Sequence, residues 1–211
     1  MNTQGFLLLD FFNMGGIFMW PLLVFSIATI SIALERVIYI SSHDLRMTTL
    51  SRNVMAYIRR KDIKSAKIYL NSKVKRSMGA RVLGALLDHA EQDGHLMEKA
   101  AESEAQNCIN ELESGFDFLA ALGSLAPLTG FLGTVSGMIG AFKSIAEATE
   151  VNAQIVANGI YEALITTVFG LIIAIIAMVS NSLLTHAVDT FAAGAEKACS
   201  CIILELAKND A

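Results

Sequence analysis

Charge is missing from three long stretches of this sequence. No Asp, Glu, Lys or Arg occurs from Phe11 to Leu34, from Phe118 to Phe142 or from Ala163 to Thr185, runs of 24, 25 and 23 residues. Charged residues make up 17% of the whole chain, against about 25% in an ordinary soluble domain. A helix needs roughly 20 apolar residues to cross a hydrocarbon core, and all three runs qualify. With 54% hydrophobic residues and a mean hydropathy of +0.51, the chain reads as an all-α integral membrane protein with three transmembrane helices.

Other absences narrow the reading. There is no Lys or Arg before Arg36, thirteen fall between Arg36 and Lys99, and only Lys143, Lys197 and Lys208 follow. By the positive-inside rule the segment after the first span is cytoplasmic. The N-terminus and the loop between spans two and three are then periplasmic, and the C-terminal tail is cytoplasmic. The N-terminal run lacks a basic region, is too apolar for too long and is followed by no small-residue cleavage site, so no signal cleavage is expected.

Cysteine is sparse. Cys108, Cys199 and Cys201 all fall on the expected cytoplasmic side, where thiols stay reduced. Cys199 and Cys201 lack partner ligands at zinc-site spacing and read as small apolar helix residues. No dinucleotide fingerprint, P-loop, HExxH motif or nucleophile–base pair is present, which argues against an enzyme and against any cofactor. The basic runs Arg59-Arg60-Lys61 and Lys73, Lys75, Arg76 carry no interleaved aromatics and read as loop charge, with no nucleic-acid partner.

The expected layout is a periplasmic segment over 1–16, transmembrane helices over 17–40, 116–142 and 157–186, and a periplasmic loop over 143–156. A cytoplasmic helical region covers 41–115 and a cytoplasmic helical tail 187–211. Phe6–Leu9 and Phe11-Phe12 suit the membrane surface, Trp20 and Pro21 the outer edge of span one, and Tyr39 its inner edge. In the polar region, Leu45, Leu50, Val54, Tyr57 and Ile58 form one apolar stripe, and Ile63, Ala66 and Leu70 another. Val82, Leu83, Leu86 and Leu87 form a third, expected to start near Gly79 and end at Gly94. Leu96–Leu112 runs as a helix towards span two with no breaker before Gly115, so span two is expected to extend inward as one long helix. Span three is expected to do the same, giving a cytoplasmic helical bundle.

Two spans carry features that lipid exposure alone does not explain. In span two, Gly123, Ala126, Gly130, Gly133, Gly137 and Gly140 follow a 3-4-3-4-3 spacing, so all six share one helix face. Such a stripe lets another helix approach closely, and Gly133 and Gly137 form a GxxxG pair. Pro127 removes a backbone hydrogen bond and predicts a kink, read either as simple packing or as a bend that shapes a pore. Thr134 lies two turns beyond Pro127, beside the stripe; a membrane threonine either bonds its own backbone or faces a pathway.

In span three, Glu162 costs a few kcal/mol at membrane depth and needs a bundle interior, a watery cavity or the outer water boundary. Asn158 and Tyr161 beside it suit that boundary. Thr166 and Gly170 follow Glu162 at one-turn intervals, whereas Thr167 is displaced from it by about 140°. Asn181 is a second polar residue near the inner end.

The segments APLTGFLGTVSGMIGAF and GIYEALITTVFGLIIAIIA resemble the ExbB/TolQ/MotA family of bacterial ion-channel subunits, closest to its ExbB branch. MWPLLVFSIATISIALERV is similar to that family's first span, including its ER pair. The resemblance implies a pentamer in the inner membrane, enclosing helices of a single-span ExbD/TolR-like partner whose membrane aspartate carries the ion. It implies that Thr134 and Thr167 are pore threonines, that Glu162 is a pore glutamate, and that Pro127 and Gly133 belong to the span-two motif. It also implies proton flow that energises work in the periplasm, such as outer-membrane transport through a TonB-like protein.

Two departures bear on this. Proton-preferring relatives often carry alanine where this chain has Thr166, so a Na⁺ ion held by Thr134, Thr166 and Thr167 is an alternative. Many relatives place tyrosine before the inner asparagine, where this chain has Ser180. A TolQ-like envelope role or a gliding or stator role are variants of the same class. A membrane scaffold that conducts nothing is the competing class.

Overall fold

The computed structural model describes residues 15–90, 92, 94–147 and 153–210. The expected surface segment Phe6–Phe12, the turn residue Asp93 and residues 148–152 of the outer loop lie outside the described residues. The described residues form seven helices: α1 (Met19–Ser42), α2 (Met47–Ile58), α3 (Ile63–Lys73), α4 (Met78–Asp88), α5 (Gly94–Glu113), α6 (Phe116–Glu147) and α7 (Ala153–Asp210). No strand occurs among the described residues. Three of the helical stretches are long and apolar enough to cross a membrane. The chain divides into an apolar unit, built from residues up to Leu34 and Gly115–Ser182, and a polar unit, Glu35–Ser114 and Leu183–Ala211.

In the apolar unit, α1 begins just after the Gly15-Gly16 turn, with the Met19 N–H donating to the Gly16 carbonyl at 3.2 Å. It buries Met19, Leu22, Thr29 and Ala33 and leaves Trp20, Val24, Ile27 and Leu34 exposed. The unit's core gathers Met19 and Leu22 of α1, Ala126 of α6 and Ile165 and Ile173 of α7, with Phe25 and Phe169 packed on it. Helix α6 runs unbroken through Pro127.

The long inward helix expected for span two is corrected. It breaks at Ser114-Gly115, because Gly115 adopts φ +88, a left-handed conformation that glycine takes without a Cβ penalty. Span three does continue as expected: α7 is one helix of 58 residues.

In the polar unit, α2, α3 and α4 bury the three apolar stripes through Leu50, Val54, Ile58, Ala66, Leu70, Val82, Leu83, Leu86 and Leu87. Asp62 caps α3 by accepting the Ser65 N–H; hydrogen bonding from the Ser65 side chain, then from its N–H, holds the carboxyl below the usual range. Gly79 is the second residue of α4, where a Cβ would strike the Met47 side chain of α2. The expected end of α4 at Gly94 is also corrected: the helix stops at Asp88, where the apolar stripe runs out, and Gly94 instead opens α5.

Arg81 of α4 ties this unit together. It donates to both Glu111 carboxylate oxygens at 2.8 and 3.0 Å and to Glu104 at 2.8 Å. The Glu111 hydrogen bond raises its already high pKa further. Arg36 Nη1 reaches the Glu111 carbonyl at 3.1 Å. Arg81→Lys should lower the melting temperature, because an ammonium cannot hold a carboxylate through two fixed N–H groups. The expected loss is about 1 kcal/mol, the upper end for partly exposed pairs, and it should shrink in high salt. A melt with no such loss at low salt would show that the cluster contributes nothing.

Candidate functional site

The small-residue stripe of α6 meets a second stripe on α7. Gly159, Ala163, Thr166, Gly170, Ala174 and Ala177 recur every three or four residues, a pattern missed in reading the sequence because only two of its six residues are glycine. The two helices approach at backbone distance. A Cβ on Gly130 would stand 2.8 Å from the Thr166 carbonyl oxygen and 3.0 Å from Thr167 Cα. One on Gly170 would stand 2.5 Å from the Ala126 carbonyl oxygen, and one on Gly137 would stand 3.0 Å from the Ala163 Cβ. Gly133 lies against the Thr166 side chain. Gly140, the sixth member of the α6 stripe, meets nothing within 4 Å and is not part of the contact.

Within this seam two hydroxyls converge on one carbonyl. Thr167 Oγ1 donates to the Gly130 oxygen at 3.1 Å, and Thr166 Oγ1 lies 3.3 Å from the same oxygen while donating to Ala163 O at 2.8 Å. Other hydroxyls of α6 bond only their own helix: Ser124 to Ala120 O, Thr129 to Leu125 O and Ser144 to Gly140 O. Thr134 does likewise, donating to Phe131 O at 2.6 Å. It stands one turn beyond Gly130.

The candidate residues therefore fall in different places. Thr166 is 1% exposed and buried in the seam, while Thr167 is half-buried at its edge. Glu162 lies elsewhere. It lines a cavity of about 310 Å³ with Gly15, Phe18, Ser136, Gly140 and Gly159. Gly16, at φ +67, lies so near Glu162 that a Cβ there would overlap its carboxylate. Gly16 escaped the sequence reading as a site residue, although its place in a Gly-Gly pair was visible. Thr29 was also missed. It is 1% exposed, and its hydroxyl, like Asn181 Oδ1, has no hydrogen-bond partner among the described residues.

Two small-residue helices in backbone contact, with hydroxyls bonded across the seam, make a tightly packed membrane bundle. Residues 67–197 match the model of the MotA/TolQ/ExbB proton channel family. The chain is 30% identical over 172 residues to the biopolymer transport protein exbB1 of Vibrio cholerae, covering 81% of this chain and 75% of that protein. It is 33% identical over 204 residues to an ExbB-like biopolymer transport protein of Synechocystis, covering 90% and 77%. It is 41% identical over 81 residues to the Tol-Pal system protein TolQ of Haemophilus influenzae, covering 38% and 36%. The chain belongs to the MotA/TolQ/ExbB proton channel family.

Proposed function

We propose that this protein is the pore-forming subunit of an ion-driven motor in the bacterial inner membrane, with its N-terminus periplasmic and its C-terminus cytoplasmic. Several copies surround a single-span partner of the ExbD/TolR type. Protons pass a membrane carboxylate on that partner, and Thr134, Thr167 and Glu162 line the route. Each elementary charge crossing 100 mV releases about 2.3 kcal/mol, which drives work in the periplasm, in the ExbB branch the energising of TonB-dependent transport. The TolQ relative keeps an envelope-maintenance role as the alternative cargo of the same motor.

The observation that carries this reading is the convergence of Thr166 and Thr167 on the Gly130 carbonyl, one turn from Thr134. Cross-helix hydroxyl bonds also serve helix packing in a scaffold, so ion flux and not assembly separates the two readings. The proton is favoured over Na⁺ because the Thr166 hydroxyl is buried in the helix seam, whereas a hard cation needs several accessible oxygens.

Thr167→Val should leave assembly intact and reduce flux in proteoliposomes holding the chain and its partner. The expected loss is about tenfold or more, since a hydrogen bond to a charged group contributes roughly 1.5–3 kcal/mol. Unchanged flux would favour the scaffold. Flux that requires Na⁺ would replace the proton by Na⁺.

A further inference from the structure

The polar unit carries a basic cleft at the end of α2 and an acidic groove between α5 and α7. Arg52, Met55 and Ala56 on the outward face of α2, with Arg59 and Arg60 in the turn just after it, line a basic cleft of about 440 Å³. The α2 positions lie opposite the buried face formed by Leu50, Val54 and Ile58. Helices α5 and α7 form a groove of about 320 Å³, edged by Glu98, Glu102 and Glu196 over a floor of alanines. Helix α7 touches the α2 side through Gly194, Lys197, Ala198 and Cys201. It touches the α5 side through Ala192, Ala195, Cys199 and Ile203, so α2 and α5 pack on different flanks of the same helix. Arg59 is partly engaged by Glu205 at 3.0 Å. Among the described residues Arg52, Arg60, Glu98, Glu102 and Glu196 form no ion pair.

We infer that the basic face of α2 in one copy of this chain seats against the acidic α5–α7 groove of the next copy. The inference deepens the homo-oligomer reading above and rests on it. A contact between two different faces of one chain is head-to-tail, which closes a ring when the rotation allows. An isologous contact would set like charge on like charge, which disfavours it. The small floor residues let the α2 side chains lie flat in the groove. Exposed ion pairs contribute little individually, so the charges select the partner face and the register.

The test uses the full-length chain in membranes, with Cys199→Ser and Cys201→Ser removing the accessible native thiols; Cys108 is buried. Ala56→Cys and Gln106→Cys are introduced singly and together, and a short bis-maleimide is added. The inference expects a ladder of covalent multimers from the double variant and only monomers from each single one. Dimers from Ala56→Cys alone, or no multimers from the double variant, would overturn it.

On the double-cysteine chain, Arg52→Glu with Arg60→Glu should reduce the ladder to the level of the single variants. Adding Glu98→Lys with Glu102→Lys should restore it. Arg52→Gln with Arg60→Gln, which introduces no repulsion into the fold, should also weaken it; a ladder indifferent to all three pairs would equally overturn the inference. Crosslinking does not depend on ion flow, so a failure of the flux experiment leaves this result readable by itself.

Discussion

Gly170→Ala should destabilise the apolar unit by about 1–3 kcal/mol, the usual range for forcing a methyl into a filled contact. The new Cβ would stand 2.5 Å from the Ala126 carbonyl oxygen and 3.3 Å from Gly130 Cα. Neither atom is the end of a flexible side chain, so relief requires the two helices to move apart. Separation would also stretch the bonds from Thr166 and Thr167 to the Gly130 oxygen, so ion flux should fall with stability. Gly140→Ala supplies the control, because it adds the same methyl to the same stripe where nothing lies within 4 Å. Its effect should stay within about 0.5 kcal/mol. Thermal unfolding in one detergent compares the two directly, and equal melting temperatures would refute the close-packed seam.

Gly16→Ala should have the second large effect, for two separable reasons. At φ +67 a residue with a Cβ is strained by about 1–2 kcal/mol. The Cβ would also overlap the Glu162 carboxylate, which must then swing away from its place on the cavity wall. Combining Gly16→Ala with Glu162→Ala removes the overlap and leaves the backbone strain. The pair should therefore melt above Gly16→Ala alone while staying below Glu162→Ala alone. If the second substitution recovers nothing, the glycine is required for the turn only.

Much of this fold is readable from residue chemistry. Three uncharged runs announce the three spans, and the 3-4-3-4-3 spacing announces the face α6 turns to α7. The apolar stripes of α2, α3 and α4 are buried as their periodicity requires. The breaks were harder to place. The stop of α4 at Asp88 depends on where its stripe ends, and the glycine six positions on is a poor guide because it begins the next helix. The partition of the polar residues was hidden for a different reason. Glu162, Thr166 and Thr167 are neighbours in sequence, but which of them faces a helix, an edge or a cavity depends on where α1 and α6 sit around α7. Spacing on one helix cannot supply that.

The hydroxyl bonds at the seam have one more consequence. Thr167 points its hydrogen at Gly130 O, and Thr134 points its hydrogen at Phe131 O. A hydroxyl has one hydrogen to give and two lone pairs to receive with. What these two side chains offer an approaching group is therefore lone pairs alone. A species that brings its own hydrogen, such as a neutral carboxylic acid or a hydronium ion, finds acceptors waiting, whereas a bare carboxylate meets only negative density. On the proposed route these two hydroxyls would favour the protonated form of a visiting acid over its carboxylate.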